Sequence, residues 1–158
     1  MKVLLVRHGE AVSETIDPDR SLSSRGQRKV EQVAAFLDDA DVQFDRIMHS
    51  GKTRARQTAD QLGRYLIPGI KAEAVSGLNP DDSVKHFAEQ VLEWTQNTIV
   101  VGHLPFLAIL VAQLIKSGNA THSFIRFTPA TAVCLERSED GLWSIIWMID
   151  PELLIELD

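Results

Sequence analysis

The sequence predicts a three-layer α/β/α fold with a mostly parallel central sheet. Three observations predict it. Strand-like and helix-like segments alternate four times along the chain, the early strand-like runs are continuously apolar, and residues able to do chemistry stand where those runs end.

The first strand is expected over Lys2 to Arg7, because Val3-Leu4-Leu5-Val6 is too short and too continuous for an amphipathic helix. His8-Gly9 falls at its carboxyl end. Ser23 or Ser24 can cap a helix carrying Val30, Val33, Ala34 and Leu37 on one face. A second strand spans Arg46 to Ser50. Ala55, Ala59, Leu62 and Leu66 then recur at helical spacing until Pro68-Gly69, which puts Arg54 in the first turn of that helix. A strand over Ala72 to Val75 leads to a loop in which Asp81 or Asp82 can cap a helix bearing Val84, Phe87, Ala88, Val91 and Leu92. Thr98 to Val101 reads as a further buried strand, followed at once by His103. Pro105 suits the first position of an apolar helix ending near Ile115, with Gly118 beyond it. Ser123 to Phe127, Ala132 to Glu136 and Leu142 to Ile149 read as strands, the last two joined as a hairpin through Ser-Glu-Asp-Gly.

Size and composition bound the function. A chain of 158 residues without repeats or linkers reads as one domain, 1–158, and can bury about 70% of its unfolded surface. No apolar run approaches the roughly 20 residues that span a bilayer. The apolar start ends in Arg7-His8 without a small-residue cleavage site, which argues against a signal peptide. Cys134 is the single cysteine, so no intrachain disulfide or cysteine zinc cluster is available, and a soluble, cytoplasmic protein is expected. A net charge of −6 disfavours nucleic acid and anionic membranes as partners.

His8, Ser50 and His103 lie at strand ends, where open α/β sheets bind ligands. Arg7-His8-Gly9-Glu10 resembles the Arg-His-Gly motif of the histidine phosphatase superfamily, which includes cofactor-dependent phosphoglycerate mutases and acid phosphatases. Three further blocks follow in the family's order: Leu22-Ser23-Ser24-Arg25-Gly26, Ser50-Gly51-Lys52-Thr53-Arg54-Ala55-Arg56-Gln57-Thr58-Ala59, and Gly102-His103-Leu104-Pro105. The resemblance covers the whole chain and implies a phosphoglycerate-mutase-like fold. Shortness and the His-Leu-Pro turn are similar to the phosphohistidine phosphatase branch.

The resemblance implies His8 as nucleophile, Arg7 and Arg54 as phosphate clamps, and His103 as a second imidazole on the transferred group. Gly9 and Ser50 are placed with the phosphate-binding residues. Planar guanidiniums suit the three equatorial oxygens of a phosphoryl group, and a neutral imidazole suits nucleophilic attack. No metal and no cofactor is expected. His49 is a weaker pocket candidate, while Arg56 and Arg64 read as surface residues. His86 and His122 read as structural or exposed, Cys134 as core filling, and Trp94, Trp143 and Trp147 as packing.

Two departures from the family matter. Gly51 stands where members often have proline. The mutase branch carries a glutamate acid after the third strand, whereas this chain reads Gly77-Leu78-Asn79-Pro80-Asp81-Asp82, leaving Glu10, Asp81 and Asp82 as substitutes. The expected activity is hydrolysis of a phosphorylated protein side chain, above all phosphohistidine, through phospho-His8. A small phosphomonoester as substrate, or a phospho-ligand binding module without turnover, is the alternative.

Overall fold

A computed structural model describes residues 1–116 and 124–154. Strand β1 (Lys2–Arg7) runs through its middle, with Val3, Leu4, Leu5 and Val6 all buried, as the unbroken apolar run requires. Successive residues point to opposite faces. Leu4 and Val6 therefore join one core with Val33, Leu37 and Leu62, and Val3 and Leu5 join another with Phe87, Phe106 and Leu110.

On its flanks β1 pairs with β4 (Thr98–Gly102) in parallel and β5 (Ala132–Arg137) antiparallel. With β2 (Arg46–His49), β3 (Glu73–Ala74) and β6 (Trp143–Ile149), the sheet order is β3-β2-β4-β1-β5-β6. The first four strands in sequence are parallel, and the β5–β6 hairpin supplies the antiparallel edge. Helices α1 (Ser24–Asp39) and α2 (Thr53–Leu66) pack together over one core, and α3 (Val84–Leu92) and α4 (Phe106–Lys116) over the other. No helix among the described residues is long and apolar enough to cross a membrane.

Helix starts follow local chemistry. The Ser23 hydroxyl accepts the Gly26 amide at 2.9 Å and caps α1. At α3 the expected caps Asp81 and Asp82 give way to Ser83, whose hydroxyl accepts the His86 amide at 3.2 Å. Ser83 directly precedes the first helical residue, whereas the Asp82 carboxylate accepts the Asn79 amide at 2.8 Å and closes the preceding loop. Pro105 stands one residue before α4 rather than inside it, after a cis Leu104–Pro105 bond.

Residues 124–127 form no strand, contrary to the expectation for Ser123 to Phe127. The Phe127 carbonyl instead accepts from Arg7 Nη1 at 2.8 Å. Ser123, Gly118 and His122 lie outside the described residues. The strand expected over Ala72 to Val75 shrinks to two exposed residues at the sheet edge, with the Val75 amide still bonded to the His49 carbonyl.

The loop leaving β1 presses against α1. A Cβ on Gly26 would lie 2.1 Å from the Glu10 carbonyl oxygen, while one on Gly63 in α2 would meet nothing nearer than Ile47 Cγ2 at 3.9 Å. Gly26→Ala is therefore expected to destabilise the fold by about 1–3 kcal/mol through overpacking. Gly63→Ala should stabilise it by up to about 1 kcal/mol through helix propensity. Urea denaturation of both variants checks this, and equal effects would refute the close approach at Glu10.

Candidate active site

The parallel register of β1 and β4 builds the site. Val6 pairs with Val101 and Arg7 with Gly102, so the next residue of each strand is a histidine. The His8 amide donates to the Gly102 carbonyl at 3.0 Å, carrying the ladder one step further. The two imidazoles consequently sit side by side, with ring centroids 5.0 Å apart, close to the spacing of neighbouring strands. On the other side of β4, His49 pairs with Val101, which brings Ser50 level with Gly102 and Arg7, one step before the two histidines. Ser50 Oγ lies 2.6 Å from His103 Nε2.

His8 is 9% exposed, and its Nδ1 lies 2.8 Å from the Gly9 carbonyl oxygen. A carbonyl only accepts, so Nδ1 carries the proton and donates. Burial pushes the His8 pKa down to about 4, and the charges of Arg54, Arg7 and Arg20 push the same way against the Gly9 bond. The ring is neutral near pH 7 and Nε2 has a free lone pair. His103 is pushed down to about 3, by burial first and then by His8, Arg54, Lys52 and Arg7.

Arg7 and Arg54 enter from different elements. Arg7 ends β1 and is anchored through Nη1 on the Phe127 carbonyl, while Arg54 lies in the first turn of α2, where helical amides add partial positive charge. Burial lowers the pKa of both, yet guanidiniums hold their charge throughout the working range. Five buried side-chain nitrogen or oxygen atoms lack a hydrogen-bond partner among the described residues, and three are Arg7 Nε, Arg54 Nε and His103 Nδ1. Such orphans are rare in folded proteins, and the two guanidinium Nε–H groups among them can only donate, which suits an anion beside the neutral imidazole.

Residues that the sequence left unremarked hold these parts together. The Thr58 hydroxyl donates to the Arg54 carbonyl at 2.8 Å and accepts the Gly9 amide at 3.0 Å, tying α2 to the loop that carries His8. Gln57 Oε1 accepts the Leu22 amide at 2.8 Å from the same helix. Gly9 itself leaves no room for a side chain, since a Cβ would stand 2.7 Å from Val30 Cγ2. Arg20 and Lys52 complete the positive surroundings, although nothing in the sequence position of Arg20 announces it. Arg20 sits at φ 50° with Nε donating to the Val12 carbonyl at 3.2 Å.

Other candidates have different partners. Glu10 accepts from Ser23 Oγ at 2.8 Å and from Arg25 Nη1 at 3.1 Å, and Arg25 also grips Glu152. Asp82 is bonded to the Asn79 amide as described, and Asp81 is exposed on the same loop. His49 is buried, and its Nδ1 accepts the Gly51 amide at 3.0 Å, which makes it a support for the turn. Gly51 has φ 91° there, a conformation closed to proline. Arg56, Arg64 and His86 are exposed. Cys134 is buried with its thiol pushed up to about 12 by burial, Trp143 is buried in the core, and Trp94 packs edge-on to Phe87 beneath Arg46.

Known proteins resemble this chain in sequence and fold. Phosphohistidine phosphatase SixA of Escherichia coli (strain K12) is 27% identical over 156 residues, covering 96% of this chain and 94% of that protein. A structure of the protein histidine phosphatase SixA complexed with tungstate superposes with a TM-score of 0.83 at 26% identity, covering 96% and 97% of the two chains. A phosphoserine phosphatase from Entamoeba histolytica, in complex with 3-phosphoglyceric acid, shares the fold at a TM-score of 0.74 and 15% identity, over 94% and 96%. The sequence profile of the histidine phosphatase superfamily (branch 1) matches residues 3–79, a segment holding Arg7, His8 and Arg54. With the profile meeting the neutral strand-end histidine and its two guanidiniums, and with SixA alike over nearly its whole length, this chain belongs to the histidine phosphatase superfamily.

Proposed function

We propose that this phosphatase hydrolyses a phosphorylated protein side chain, above all phosphohistidine, through a covalent phospho-His8 intermediate. The observation that carries the mechanism is the His8 Nδ1 bond to the Gly9 carbonyl, which fixes the proton on the far nitrogen and frees Nε2 for attack. In the first step Nε2 bonds to phosphorus as the bond to the leaving nitrogen breaks, and the substrate ring, carrying a proton on its other nitrogen, departs with the electron pair as neutral imidazole. Water then attacks phospho-His8, releasing inorganic phosphate and restoring the neutral ring. Arg7, Arg54 and His103 supply donors to the equatorial oxygens, so the charge of the transferring group is met without a metal ion.

The leaving group supports phosphohistidine. Glu10 and Asp82 spend their carboxylates on hydrogen bonds within the protein, which leaves neither poised to protonate an alkoxide. Expelling a serine or sugar alkoxide without such an acid forgoes about 10²- to 10⁴-fold in rate, whereas imidazole, with a reference pKa of about 6.5, departs readily. The likeness to SixA, named a phosphohistidine phosphatase, points the same way.

His8→Ala is expected to abolish turnover in a folded protein, and acid-quenched wild type should carry label that is acid-labile and alkali-stable. Turnover by the variant, or label that survives acid, would sink the mechanism. Arg7→Ala and Arg54→Ala should each lower the rate about 10²-fold or more. The acid limb of kcat/KM should fall near pH 4 rather than 6.5, because burial keeps His8 unprotonated over that interval. Between those values the unfolded chain binds the proton first, so stability should decline as pH falls, with a shallower slope in His8→Ala. A substrate panel decides specificity: kcat/KM for a phosphohistidine protein should exceed that for a phosphoserine peptide or a sugar phosphate by at least about 10²-fold. Equal rates would favour the small phosphomonoester, and tight binding without turnover would favour a phospho-ligand module.

A further inference from the structure

His103 has two ring nitrogens and, when neutral, one proton to divide between them. Nε2 lies 2.6 Å from Ser50 Oγ, while Nδ1 is buried without a partner among the described residues, in a residue only 2% exposed. The Ser50 oxygen receives the Lys52 amide at 3.3 Å, which directs one lone pair away and leaves the hydroxyl proton free to be given. When Nε2 accepts that proton, the ring proton must sit on Nδ1. The opposite tautomer would turn a bare Nδ1 lone pair toward the oxygens of a bound phosphoryl group, which are acceptors only, so two acceptors would meet in a buried site.

We propose that Ser50 is a positioning residue whose hydroxyl holds His103 in the Nδ1-protonated tautomer, so that Nδ1–H donates to an oxygen of the phosphoryl group passing to His8. Its substrate contact rests on the reading of the site as a phosphoryl-transfer centre, whereas the tautomer is a property of the resting protein. No bond is made or broken in this role, and the proton stays on Nδ1 throughout. Ser50 thus acts on the reaction through His103 and touches no substrate atom. The turn that presents it is held by the Gly51 amide on His49 Nδ1, so three consecutive residues, His49 to Gly51, serve one imidazole.

Nitrogen-15 NMR of the histidine side chains at pH 7 tests it, with the His103 signals assigned by their loss in His103→Gln. Wild type and Ser50→Thr should show a protonated Nδ1 and an unprotonated Nε2, and Ser50→Ala should show mixed or inverted protonation. Kinetically, Ser50→Ala should lose about 10-fold or more in kcat with KM changed by less than about twofold, and Ser50→Thr should recover most of the loss. Wild-type His103 protonated at Nε2 would overturn the proposal, as would a Ser50→Ala protein that keeps both the tautomer and kcat. Should Ser50→Ala fail to fold, the wild-type spectrum alone decides. The tautomer is read without substrate, so a wrong substrate assignment would leave it standing, and a wrong tautomer would leave the His8 mechanism standing.

Discussion

Everything at this site depends on one stretch of parallel β-ladder. Arg7 faces Gly102 across β1 and β4, and the His8 amide continues that ladder onto the Gly102 carbonyl. A slip of one residue would send each side chain to the opposite face, so the apolar pattern that holds Val6 and Val101 in one core also holds the two histidines abreast. Core packing and catalytic geometry are one constraint here. The antiparallel pairing of β1 with β5 on the other flank secures the strand from both sides, so the loop carrying His8 leaves a strand whose four central residues are buried.

The second organising force is charge. A protein of net charge −6 gathers Arg7, Arg54, Arg20 and Lys52 about a single point and places two imidazoles among them. Each cation makes protonation of the histidines harder and the arrival of an anion easier, so one field keeps the imidazoles neutral and attracts negative charge. The acidic remainder of the surface makes this positive spot a local exception.

Much of the architecture could be read in advance because the cues were physical and local. Val3 to Val6 announces a doubly buried strand, and Ala55, Ala59, Leu62 and Leu66 announce the face of α2. Motif order singled out His8, Arg7, Arg54 and His103, and the fold places these four near one another. Three polar residues in succession hid the true cap of α3, since only contact with the helix distinguishes Ser83 from the aspartates before it. Residues 124–127 carry a strand-like composition, but they join no ladder of the sheet and Arg7 bonds to the Phe127 carbonyl. Thr58 did leave a trace: a hydroxyl sits on an otherwise apolar stripe, fully buried, and such a residue has to bond to something. Arg20 left none, because loop folding alone brings it near, whereas Lys52 stands at the N-cap position of α2, two residues before Arg54.

The Gly51 turn has a consequence for motion. Proline at such a position narrows the unfolded chain's choices before folding begins, whereas glycine leaves them wide, a difference of about 0.4–1 kcal/mol. In this chain the ordering is achieved afterwards, by the His49 Nδ1 bond to the Gly51 amide. Ser50, next to it, is thus held by a contact formed only in the native state and not by covalent stiffness. A local fluctuation of that turn would reach His103, which Ser50 touches, before it reached His8.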